Sequence, residues 1–103
     1  MLQDLLTDAI RRKIILLLTF NAKEKGPVTR KCVPFDFGPS ARAKDKINRY
    51  HFYDLDSPDG HHNLSIREEQ IIDMKLTIEH FDPADYVKWT PKWFIERDWG
   101  KFS

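Results

Sequence analysis

The sequence predicts a mainly β domain with helical ends. In this α+β fold a small five-stranded barrel of the Sm/SH3 kind follows an N-terminal helix and precedes a short helical C-terminal tail. Three observations predict it. Apolar residues fall at helical spacing over residues 1–13. Beyond them, runs with period-two alternation are separated by clusters of Gly, Pro, Asn and Asp. The chain has 103 residues, of which 41% are hydrophobic, which is enough for one domain with a modest core. A helix leading into five short antiparallel strands fits a strongly bent barrel.

The elements follow in order. In residues 1–13, Leu2, Leu5, Leu6, Ala9 and Ile10 form one apolar stripe. Asp4 and Asp8 lie toward the start and Arg11, Arg12 and Lys13 close the segment, a polarity that suits the helix dipole. Residues 14–20 read as a strand and 21–27 as a loop. Residues 28–37 alternate, with Val33, Phe35 and Phe37 on one face and Arg30, Cys32 and Asp36 on the other. Pro34 inside that strand requires an edge or a bulge, because it has no N–H to donate. Residues 38–46 are a polar loop.

The next strand covers 47–56, turns at Ser57-Pro-Asp-Gly60 and returns through 61–66 as a hairpin. On it Arg49, His51 and Tyr53 share one face, and Tyr50, Phe52 and Asp54 the other. Neither face is cleanly apolar. The Phe52 face is assigned to the core and the Arg49 face to an exposed platform, with the reverse left open. Residues 67–70 make a turn, and 71–81 the most regular strand, with Ile72, Met74, Leu76 and Ile78 on one face. Asp82 and Pro83 read as the N-cap and first residue of a short helix, and Thr90-Pro91 repeats the signal before 92–98. Residues 1–82 thus form the helix and barrel, and 83–103 a tail packing on it within one domain.

Composition narrows the function. A net charge of +1 sets up no global attraction for nucleic acid or membrane, so any such affinity needs a local patch. The lone Cys32 forms no internal disulfide, which fits a reducing cytoplasm; in a strand it reads as a small apolar residue. The apolar run 14–20 is far short of the roughly 20 residues that span a bilayer. Acidic residues before it and a charged segment after it do not fit a secretory leader.

A patch does exist. Arg30, Lys31, Arg42, Lys44, Lys46 and Arg49 gather around a loop that leads into Tyr50 and His51. Cations beside stackable rings hold phosphate and base in single-stranded nucleic acid, and the same cations hold an anionic small molecule. The ordinary alternative is a solvated loop diluted by Asp45. Trp89, Trp93, Phe94 and Trp99 crowd the tail; they read as a cap on the barrel, or as a contact surface for a second copy or a partner protein.

Other chemistries find little support. Of the four histidines, His51 and His62 can face each other across the hairpin, but no spacing matches a metal site. Ser40, Ser57 and Ser65 sit in no nucleophile motif, and Asp54, Asp56 and Asp59 suit a turn. No enzyme, metal or cofactor is expected. A weaker third reading pairs His51 or His62 with a nearby aspartate as a catalytic base.

The order of four segments resembles the WYL domain, a bacterial ligand-sensing module. They are Ala9-Ile-Arg-Arg-Lys-Ile-Ile15, Arg30-Lys-Cys-Val-Pro34, Arg49-Tyr-His-Phe-Tyr53, and Leu64-Ser-Ile-Arg-Glu-Glu-Gln-Ile71 with Glu79-His-Phe-Asp82 one strand later. Arg49 and His51 flank Tyr50 where the family has its Trp and Leu, and Gln70 stands where it has an arginine. The resemblance implies a divergent, stand-alone member with an Sm-like barrel and a role in sensing or transcription regulation. The expected function is a non-enzymatic module that binds nucleic acid or an anionic small ligand through Arg30, Arg42, Lys44, Lys46, Arg49, Tyr50 and His51. The alternative is a protein-interaction module working through the tryptophan tail and a barrel edge.

Overall fold

Helix α1 spans Leu2–Arg12 and buries Leu6, Ala9 and Ile10. The structure, a computed structural model, describes residues 2–23 and 25–103, so Met1 of the expected helix and Glu24 of the expected loop lie outside the described residues. Asp8 and Arg12 pair along the exposed side of α1 at 2.9 Å. Lys13 then takes a left-handed φ of +57°, the usual way to end a helix, and feeds the chain into β1 with no linker.

Five strands follow: β1 (Ile14–Ala22), β2 (Gly26–Pro39), β3 (Asn48–Asp54), β4 (His62–Ile66) and β5 (Ile71–His80). They form one antiparallel sheet in the order β4-β3-β2-β1-β5. The helix and the five strands stand where the sequence predicts them, within a few residues. No ladder joins β4 to β5, so backbone hydrogen bonds do not close the sheet.

Strand β2 carries the bend. Its first half pairs with β1 and its second with β3, and Cys32 belongs to both ladders, opposite Leu16 and opposite Asp54. The register slips between Pro34 and Asp36, leaving Phe35 as the extra residue. Pro34 is therefore tolerated in a central strand by a bulge. The predicted alternation of β2 fails here: every residue from Cys32 to Asp36 is buried. The core covers one face, and the C-terminal segment covers the other.

On β3 the Tyr50, Phe52 and Asp54 face is buried, and Arg49, His51 and Tyr53 are half-exposed. Expectation and structure part at β5. Of its apolar face only Met74 is buried, and Ile78 is 96% exposed. The reason is position: β5 is an edge strand, and its register against β1 slips at both ends.

The tail packs along α1, β2 and β3. Its first turn is a 3-10 turn at Pro83–Asp85, capped as predicted by Asp82, which accepts from the Ala84 amide at 3.0 Å. The helix predicted after Thr90-Pro91 does not form, and the only later turn is Gly100–Phe102. The Phe94 and Ile95 amides instead donate to the Asp36 carboxylate, each at 2.9 Å, which holds the chain open. Trp99 is buried, and its indole N–H donates to the Ile10 carbonyl at the end of α1, at 2.8 Å. The Arg97 guanidinium lies 4.1 Å from the ring centre of Trp93 and 4.5 Å from that of Trp99.

Candidate functional site

The expected site residues scatter when the chain folds. Arg30 donates to the buried Asp54 carboxylate at 2.9 Å, so its charge is answered inside the domain. Arg49 makes two bonds to Asp45, both 3.0 Å. This fork, helped by the Ile47 amide, pulls the Asp45 carboxyl down to about 2. Tyr50 has no exposed surface, and its ring packs edge-on against Phe37. Its hydroxyl donates to Glu68 at 2.6 Å. Burial raises the phenol well above its usual range, and the Glu68 bond adds to this. The stacking role expected of Tyr50 is therefore corrected: its face of β3 is the core face.

Arg42, Lys44 and Lys46 remain exposed, and none forms an ion pair among the described residues. Of the three, Arg42 reaches a concave surface. A cleft of about 470 Å³ opens between β2, β3, β4 and the tail, floored by Phe35 and Phe52 and walled by Trp89, Trp93 and Phe94. That volume lies within the range typical of small-molecule sites. Trp89 is 47% exposed and Phe94 64%, so both keep open ring surface. Arg42 and Lys92 line the cleft, and Lys92 also has no ion-pair partner among the described residues.

The close seating of Phe94 depends on Gly38. A Cβ placed there would stand 2.4 Å from the Phe94 ring. The negative charge at the cleft is answered internally, because Asp36 accepts from two amides and pairs with Arg97. What remains open toward a ligand is aromatic surface and positive charge.

His51 lines the same cleft, but its ring is held on both sides. Nε2 lies 2.8 Å from the Gly38 carbonyl and Nδ1 lies 2.7 Å from the Ser65 hydroxyl. A carbonyl only accepts, so Nε2 donates to Gly38, and the Ser65 hydroxyl engages Nδ1. The hydrogen bond expected from His51 to a ligand is thus already made to the protein. His51 stands opposite Ser65, and His62 pairs with Asp54, so the two histidines do not face each other. No aspartate bonds to either histidine among the described residues.

Trp99 lies outside the cleft, buried beside Phe81 and Trp93. The four tail aromatics therefore divide: Trp99 anchors, Trp93 bridges, and Trp89 and Phe94 face outward. Sequence reasoning missed Lys92. Its signal was a lysine between Pro91 and Trp93, visible only once the tail is read for charge as well as for aromatics.

A second hollow of about 890 Å³ lies near the β1–β2 turn, lined in part by Arg49 and Arg67. Both arginines engage Asp45, which leaves that hollow closer to charge balance. Among the described residues no group of three or more His, Cys, Asp or Glu side chains is placed to hold a metal ion, and no helix is long and apolar enough to cross a membrane. No protein-family model matches this chain, and neither a curated protein nor a solved structure does.

Proposed function

We propose that the protein is a non-enzymatic binding module whose ligand carries a flat ring and a negative charge, as a nucleobase–phosphate unit does. The observation that carries this reading is the cleft, where the open faces of Trp89 and Phe94 stand beside the unpaired cations Arg42 and Lys92. The rings would stack on the base, and the cations would take the phosphate. The expected patch thus contracts to Arg42, joined by Lys92, while Lys44 and Lys46 extend positive charge along the adjoining loop.

A leading helix and five antiparallel strands in the order β4-β3-β2-β1-β5 are the parts that a barrel of the Sm/SH3 kind is built from, and the WYL-like reading rests on the resemblance of the sequence. A cytoplasmic setting, expected from the lone buried thiol, belongs to the same proposal.

The test is a titration with nucleoside monophosphates and with short single-stranded RNA and DNA at low and high salt, read by tryptophan fluorescence. Binding that weakens with salt and is lost in Arg42→Glu and Lys92→Glu supports the reading. Trp89→Ala should cost about 1–3 kcal/mol of binding if a base stacks there. Affinity that grows with strand length identifies a nucleic-acid strand, and affinity independent of length identifies a free nucleotide. No response at low salt to any of these ligands overturns the proposal. The exposed Trp89 and Phe94 would then favour a protein-interaction surface.

A further inference from the structure

The outer edge of β5 presents apolar surface where an edge strand usually presents charge. β5 is hydrogen-bonded to β1 on one side only. Ile72 is 52% exposed, Leu76 38% and Ile78 96%. Between the two register slips, residues 73–76 pair regularly with β1, so their outer edge offers backbone donors and acceptors in strand geometry.

We propose that this edge pairs with the same edge of a second copy of the chain, antiparallel, about a two-fold axis through Met74. Two five-stranded sheets would then become one continuous sheet. A two-fold axis perpendicular to a sheet maps each face onto itself, so it must pass through a residue rather than between residues. Centred on Met74, it sets Asp73 of each copy opposite Lys75 of the other, and Ile72 opposite Leu76. Centred one residue earlier it sets Asp73 against Asp73, and one residue later Lys75 against Lys75. Both of those registers put like charges face to face.

A centre at Thr77 would place Lys75 against Glu79. But Glu79 is held by Lys31 at 2.6 Å, and residues 77–79 lie in the register break. Among the described residues Asp73 and Lys75 pair only with each other, at 3.5 Å and with both side chains in contact with water. Both are therefore available for cross-strand pairing. The other edge strand, β4, reads His-Asn-Leu-Ser-Ile and offers no carboxylate, lysine or arginine to match β5. Self-pairing of β5 closes after two copies and leaves the aromatic cleft open, since no residue of β5 lines it.

The test uses the full chain in sedimentation or light scattering. At about 100 µM the expected mass is twice 12.2 kDa. Asp73→Lys and Lys75→Asp should each weaken self-association about tenfold or more, because each sets like charges opposite each other twice. Mixed in equal amounts, the two variants should recover the dimer, since every facing pair is again opposite in sign. Recovery also shows that both variants are folded. A wild-type monomer at that concentration overturns the proposal. So does a dimer indifferent to both substitutions, or a mixture that does not recover.

Discussion

Arg97 and Asp36 meet at 3.3 Å inside the protein, 61 positions apart in the chain, with almost no solvent at either side chain. Arg97 also donates to the Phe35 carbonyl, and Asp36 accepts from the Phe94 and Ile95 amides. Burial lowers the Arg97 pKa to about 10, against the pull of Asp36, so the guanidinium stays charged at neutral pH. The bulge at Phe35 and the extended tail are thereby held to each other. Removing one partner leaves a buried charge unanswered. Arg97→Ala is expected to cost about 3–5 kcal/mol in denaturant unfolding, a large part of a small domain's stability.

Asp45 provides a pH reading of the loop before β3. Its carboxyl titrates at about 2 in the folded chain against an ordinary 3.8. A carboxyl lowered on folding adds stability that is present above pH 3.8 and lost as the pH falls through about 2. Carboxyl-carbon NMR should place its midpoint near 2, and Arg49→Ala should return it toward 3.8. An unchanged midpoint in that variant would mean that the Arg49 fork does not form in solution.

Cys32 has no exposed surface, and burial raises its thiol, with Asp54 and Asp56 adding to the effect. The native protein should resist a thiol reagent at pH 8 and react fully once unfolded. Prompt labelling of the native state would show that the junction of the two β2 ladders opens readily.

Gly38→Ala should act on the cleft more than on the fold. The added methyl collides with the Phe94 ring, which is mostly exposed and free to swing away. The expected cost to stability is about 1 kcal/mol, at the mild end for an overpacked site. Ligand binding at the cleft should fall while Trp99 emission stays that of a buried indole. A loss of several kcal/mol would instead show that Phe94 is fixed by the tail.

Much of the fold was legible because helix and strand periods differ sharply in this chain. The stripe of α1 stands out, and Pro34 announced an irregularity that the structure resolves as a bulge. β5 misled for a physical reason. Its alternation is regular, but sequence cannot say whether a strand lies at the edge of a sheet, where an apolar face goes only half covered. The candidate site was less legible. Whether a cation is free depends on what faces it: Arg30 met Asp54 from a neighbouring strand, and Arg49 met Asp45 four positions away. The second pairing could have been read from the loop. The first needed the register. The cleft could not be read at all, because its walls come from segments distant in the chain, joined by the bonds of Asp36 to the tail amides 58 and 59 positions away and by the rings of Phe35, Trp89 and Trp93.

The bond from Trp99 to the Ile10 carbonyl has a consequence for how the molecule is made. Helix α1 leaves the ribosome before the indole that completes its packing, which is 89 positions downstream. Until that segment arrives, the underside of α1 and the face of β2 that the tail covers lie open to water. The closing step must bring distant parts of the chain together, which slows folding. The nascent chain therefore passes through a stage in which its sheet can form but its aromatic cleft has not yet been assembled.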